Sequence, residues 1–365
     1  MIKRREFLGA SLAAAALTQI PSWAWSAGLM SSSEDHWLLI AKGDRSKNGA
    51  SLYKSGENRP SVLKVYDPQF LPLMSIPLPF MAHSFVQSER DPQLVYGVSK
   101  WGDEAGIVDL KKKAFVQKLE PSAGKRFFGH GVSLPDGRTL ISMRNDKTQR
   151  GELVFFKDAK PVDHIELGDT ILHEIRFSPL NKDVVLVAAG RQDSPGSLIW
   201  VDWKAKKKIK EVASGFKHPA HFRFIGADDQ RILLLGSSKI PAVDIITGEK
   251  NNYLKIKKLR EVAGDETPET LNAAFDPKNP DIAWVAVQGG NAVVKVDCAK
   301  PEILAVMPLP GSRHAFTHAG QLYISQCLAP DSCSKLKRRE KGWIDFSQIS
   351  EFGNTAHVNL IKPVV

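Results

Sequence analysis

The sequence predicts an all-β fold: a seven-bladed β-propeller closed by its C-terminal strand, after an N-terminal signal peptide. Three observations carry this. A short apolar strand that opens on histidine or asparagine returns seven times, anchored at His83, His130, His173, His221, Asn272, His314 and His357. Successive anchors lie 47, 43, 48, 51, 42 and 43 residues apart, the repeat length of a four-stranded propeller blade. After residue 35 no helical period of useful length competes with strand-length runs.

The chain begins Met1-Ile2-Lys3-Arg4-Arg5-Glu6-Phe7-Leu8 and runs through an Ala-rich apolar stretch to Ile20 and Pro21. This reads as a signal peptide over residues 1–27, and Arg4-Arg5-x-Phe7-Leu8 resembles the twin-arginine export pattern. Cleavage after Ala24 or after Ala27 fits equally. The expected location is the periplasm. The apolar run is short for a membrane span, and nothing later is long and apolar enough, so no stable membrane insertion is expected.

The propeller is expected over residues 36–365. Its clearest inner strand is Phe127-Phe128-Gly129-His130-Gly131-Val132-Ser133, closed by the turn Pro135-Asp136-Gly137. Second strands follow as apolar, β-branched runs: Trp37 to Ala41, Leu94 to Val98, Thr139 to Met143, Val184 to Ala188, Ile232 to Leu235, Ala283 to Val287 and Leu322 to Ser325. Third strands are expected to end in aspartate, at Asp67, Asp109, Asp202, Asp244, Asp297 and Asp345. Fourth strands are weaker, such as Leu73 to Leu78 and Val162 to Leu167. The first repeat begins at Trp37 with a second strand, and His357 to Ile361 reads as an inner strand. The C-terminus therefore supplies the missing inner strand of the first blade, pairing an open edge and bringing the ends of the propeller together.

Net charge is +10, of which residues 1–27 hold +2. Basic clusters at Lys204 to Lys210, Lys255 to Arg260 and Lys335 to Lys341 read as solvated turns between outer strands. An exported chain meets little nucleic acid, so none is expected as a partner. Of three cysteines, Cys327 and Cys333 bracket a five-residue loop that a disulfide would close, whereas Cys298 falls at a third strand. No Cys-x-x-Cys, His-Glu-x-x-His, Gly-x-Ser-x-Gly or phosphate-binding loop is present.

The inner strands of a propeller line its channel, so the anchors should gather at one mouth. The loops joining second and third strands there carry Lys42, Lys100, Arg144, Asp146, Arg191, Lys239, Gln288 and Gln326. Three readings stay open. Neutral imidazoles at His83, His130, His173, His221, His314 and His357 suit copper, iron or zinc. Protonated histidines with Lys42, Lys100, Arg144, Arg191 and Lys239, and Asp146 among them, suit a small anionic ligand. Histidines at this turn also serve structure, bonding neighbouring aspartates and loop backbone. Phe85, Phe224 and Phe177 stand two, three and four residues after their histidines, so the rings point alike only if bulges re-aim them.

The signal peptide, the length, Phe127 to Val132, Pro135-Asp136-Gly137, Arg144-Asn145-Asp146 and Leu172-His173-Glu174-Ile175-Arg176 resemble the domain-of-unknown-function family 1513. The resemblance implies twin-arginine export and an iron or copper uptake setting, with periplasmic iron-uptake proteins as partners; it assigns no catalytic residue. More distantly the repeat resembles lactonase-like and cytochrome d1-like propellers. The function expected is an accessory in metal acquisition; the alternative is a lactonase-like hydrolase or a redox enzyme on the same face.

Overall fold

Short β-branched runs joined by tight turns leave the chain one way to bury both faces of its strands: four-stranded sheets stacked face to face about an axis. The computed structural model describes residues 36–43, 60–100, 102–237, 240–257, 269–326, 335–340, 343–346 and 357–364. The signal peptide, Lys239, Cys327 and Cys333 lie outside the described residues.

The first blade holds β1 (Trp37–Gly43), β2 (Ser61–Tyr66) and β3 (Pro72–Leu78). The second is β4 (Ser84–Gln87), β5 (Leu94–Val98), β6 (Ala105–Asp109) and β7 (Ala114–Lys118). The third is β8 (Lys125–Ser133), β9 (Thr139–Asn145), β10 (Gly151–Lys157) and β11 (Lys160–Glu166). The fourth is β12 (Ile171–Phe177), β13 (Val184–Gly190), β14 (Ser197–Asp202) and β15 (Lys207–Ala213). The fifth is β16 (His218–Phe224), β17 (Arg231–Ser237), β18 (Ala242–Thr247) and β19 (Lys250–Lys255). The sixth is β20 (Glu269–Asp276), β21 (Asn279–Gln288), β22 (Ala292–Asp297) and β23 (Glu302–Pro308). The seventh is β24 (Ser312–His318), β25 (Gln321–Gln326), β26 (Lys335–Arg339) and β27 (Trp343–Phe346). The last strand, β28 (Val358–Ile361), joins the first blade, whose order is β28-β1-β2-β3. Seven four-stranded sheets result, and the expected fold class is borne out.

Closure runs through backbone pairing of Trp37 with Ile361 and of Ile40 with Val358. Ile361 is buried. Beyond it, the Lys362 amide donates to Gln87 Oε1 at 2.9 Å and Gln87 Nε2 donates to the Lys362 carbonyl at 3.0 Å. The closing segment is therefore also bonded to the second blade.

Each of the seven apolar cores lies between two neighbouring blades. Leu153, Phe155, Val187 and Trp203 fill the space between the third and fourth. Leu233, Ile245, Val285 and Val294 fill that between the fifth and sixth. The seam between the seventh and first includes Leu38, Ile40, Tyr66, Phe70, Phe316 and Tyr323. Dividing the core this way lets a long chain bury its apolar surface without one oversized interior.

The aspartates closing third strands act mainly as turn formers. Asp67 Oδ1 accepts the amides of Gln69 and Leu71, Asp109 Oδ1 that of Lys112, and Asp297 Oδ1 those of Ala299 and Lys300. Asp244 differs: it is fully buried inside β18, accepts the Gly215 amide, and burial pushes its pKa up. Asp345 corrects the sequence reading, because it lies in β27, the fourth strand of its blade. The third strand there is the basic run Lys335–Arg339, read from sequence as a turn. Strand pairing goes through the backbone, so the half-exposed positions Lys337, Arg338 and Arg339 carry charge without breaking the strand. Cys298 sits in the turn directly after β22, buried, with its thiol pushed up to about 12 by burial.

Candidate functional site

The anchors meet on the channel axis. His83 and His357 immediately precede β4 and β28, while His130, His173, His221 and His314 lie within β8, β12, β16 and β24. Five blades break register at this level, between Phe127 and Gly131, Leu172 and Ile175, Pro219 and His221, Thr270 and Asn272, and Ser312 and Ala315. The bulges at His173 and His221 absorb the offsets to Phe177 and Phe224, while His83 stands directly before the unbulged pairing that holds Phe85, so the imidazoles converge. Gly129 supports the convergence. It has φ of 95°, and a Cβ there would run into the His83 ring, while Ser84 Oγ donates to its carbonyl.

Five rings form a closed cluster. Centroids are 4.4 Å apart for His83 and His357, 4.7 Å for His130 and His173, 4.6 Å for His173 and His221, and 4.7 Å for His221 and His357. His357 Nε2 is 3.0 Å from His83 Nε2. Ligand atoms of His83, His130 and His357 lie within 4.8 Å of one another, as do those of His130, His173 and His221. His314 stands further out, 6.3 Å from His357 between centroids, with Nδ1 3.5 Å from Asn272 Nδ2.

All five clustered rings are buried. Burial first, and then competition for protons with the neighbouring histidines and the charge of Lys100, hold His83, His130, His173 and His357 well below the ordinary imidazole pKa. His221 is lowered less, because the Glu174 carboxylate, 3.7 Å from its Nδ1, opposes the burial. At neutral pH these are neutral imidazoles, each offering one lone pair. His130 Nε2, His173 Nδ1 and Asn272 Oδ1 are buried with no hydrogen-bond partner among the described residues.

Of the expected cationic residues, the structure brings Lys100 to the cluster: its Nζ donates to His173 Nε2 at 2.8 Å. Arg144 bonds Gln149, Asp146 pairs with Arg126 at 3.0 Å, and Arg191 pairs with Glu211. Each of these lies at the end of its second strand, but its side chain is held within its own blade. Lys42 is a half-buried residue of β1.

Glu174, Arg176 and Arg223 were not among the site residues expected from sequence. Glu174 is buried beside the cluster, 2.6 Å from Arg176 Nη2 and 3.1 Å from Arg223 Nη1, and it accepts the Phe222 amide at 2.7 Å. Burial would raise its pKa, but the two guanidiniums outweigh burial and hold it well below the carboxylate range. The available signal was three charges in otherwise apolar inner strands, where an unpaired charge is too costly to keep.

Residues 76–193 match the family described as Protein of unknown function (DUF1513). The match supports the family resemblance read from the sequence. The DUF1513 stretch contains His83, His130, His173, Glu174 and Arg176, so it supplies three of the five clustered histidines and much of their surroundings. No protein of the curated set matches the chain. Among solved structures, Kuenenia stuttgartiensis Hydrazine Synthase is similar at 12% identity and TM-score 0.58, over 83% of this chain and 90% of that one. The Myceliophteria thermophila Cps50 (Swd1) beta-propeller domain is similar at 10% identity and TM-score 0.53, over 80% and 94%. The Dos1 propeller is similar at 14% identity and TM-score 0.54, over 72% and 70%. At these identities the likenesses show the fold alone.

Proposed function

We propose that this chain is an exported propeller that binds one transition-metal ion, copper, iron or zinc, through the buried histidines of its channel, as an accessory in periplasmic metal acquisition. The observation that carries the reading is the pair of three-histidine sets sharing His130, each with ligand atoms within 4.8 Å. Metal–imidazole bonds of about 2.0–2.1 Å put ligand nitrogens roughly 3.3 Å apart in a tetrahedral site. The His83–His357 pair is close to that spacing at 3.0 Å, and the other ligand atoms, within 4.8 Å, need to approach by at most about 1.5 Å. Neutral imidazoles favour a metal over an anion, which would need them charged. Lys100 competes with the ion for His173 and must withdraw if Nε2 is to become a ligand.

The test is metal analysis of the protein purified from its native periplasm, with titration of chelator-treated protein by copper, zinc and iron. The expected result is stoichiometric metal, copper(II) binding more tightly than zinc(II), and loss of at least a hundredfold in affinity in His130→Ala. Metal-free native protein that takes up none of the three ions overturns the reading.

A further inference from the structure

The channel does not end at the histidines. A cavity of about 470 Å³ runs from His130, Glu174 and Asn272 to the far ends of the inner strands, at Gln87, Asp276 and Lys362. That volume is within the range of small-molecule sites. Its inner end carries Arg176 and Arg223, whose side chains are 18% and 15% exposed. A guanidinium stays cationic at neutral pH in any protein surroundings. Two guanidiniums share the single carboxylate of Glu174, leaving a net charge of +1 at the floor. Arg223 directs Nη1 to Glu174 and to the Phe222 carbonyl, and Nε to the Ala273 carbonyl. None of these bonds uses Nη2.

The rim is different. Glu89, Asp276 and Lys362 line it, a net charge of −1. The wall includes Val358 and the exposed side chain of Leu360, both from β28. A cationic floor in a narrow channel, an apolar stretch of wall and an acidic rim select one shape of ligand. It has a single anionic head, directed inward, and an uncharged body reaching outward. A second carboxylate would meet Glu89 and Asp276.

We infer that this cavity is a binding site for a small organic monocarboxylate, its carboxylate on the Arg176–Glu174–Arg223 floor and its apolar body along β28. The site does not depend on the metal reading, since its charged floor is made by the two arginines. Planar guanidinium matches carboxylate geometry, and a lysine in its place keeps the charge but loses the paired donors.

The experiment is calorimetric titration of the chelator-treated mature chain with hexanoate, hexanamide, succinate, citrate and inorganic phosphate. Hexanoate is expected to bind at least tenfold more tightly than each of the others, and Arg223→Lys to weaken it at least tenfold. No binding of hexanoate by the wild-type chain overturns the proposal, with no variant needed. Equal affinity for hexanamide removes the floor from the argument, and tighter binding of phosphate or citrate overturns the monocarboxylate assignment. A folded Arg223→Lys variant that binds hexanoate like wild type overturns the role of the guanidinium. Chelation throughout separates these outcomes from any failure of the metal reading.

Discussion

Acid should unfold this protein through its histidine cluster, and the loss can be estimated from burial. His83, His130, His173 and His357 are neutral in the folded chain because burial depresses them well below 6.5. In the unfolded chain they titrate near 6.5. A depressed folded-state pKa means that the unfolded state binds more protons below 6.5. The stabilisation is therefore complete above that pH and lost as pH falls toward the depressed values. For a ring that stays neutral in the fold, going from pH 7.5 to 5.5 costs about 1.4 kcal/mol, so four rings cost up to about 5 kcal/mol. That is comparable to the whole stability of many domains, about 5–15 kcal/mol. Glu174 does not contribute in this window, because its own loss begins below the ordinary carboxylate pKa. The assay is urea unfolding of chelator-treated protein at pH 7.5, 6.5 and 5.5, with wild type compared with His83→Asn, which should lose about a quarter less. Equal stability at pH 7.5 and 5.5 would show that the rings are hydrated and titrate normally, and would refute the argument.

Deleting residues 357–365 removes β28, the burial of Ile361 and both Gln87 bonds; a loss of at least about 3 kcal/mol is expected in urea melts, and an unchanged midpoint would contradict the closure. Glu174→Ala leaves two buried guanidiniums facing each other and should cost about 3–5 kcal/mol; a cost below about 1 kcal/mol would mean that the triad is solvated. Gly129→Ala places a Cβ at φ of 95° against the His83 ring. It should destabilise by about 1–3 kcal/mol and perturb the His83 imidazole resonances, and normal resonances would refute the contact.

Periodicity determined the blade count, the inner strands and the closing strand. A blade is a local, repeated unit, and its apolar runs and turns are written in consecutive residues. The histidine register was legible for the same reason, since each anchor opens the same strand. The basic third strand Lys335–Arg339 was not legible, because pairing through the backbone leaves no mark in side-chain pattern. The tertiary structure alone decided the chemistry at the axis. Bulges at His130, His173 and His221, with His83 and His357 directly before their strands, bring five anchors into one cluster, and burial makes its imidazoles neutral; both depend on residues from five blades meeting. It also decided that Arg144, Asp146 and Arg191 are engaged by neighbours in their own blades, while Glu174, Arg176 and Arg223 reach the channel. A charge can stand in an apolar strand only beside its counter-charge. Here Arg223 comes from one blade and Glu174 from the blade before it, 49 residues apart in the chain, a proximity that the packing of one blade on the next creates.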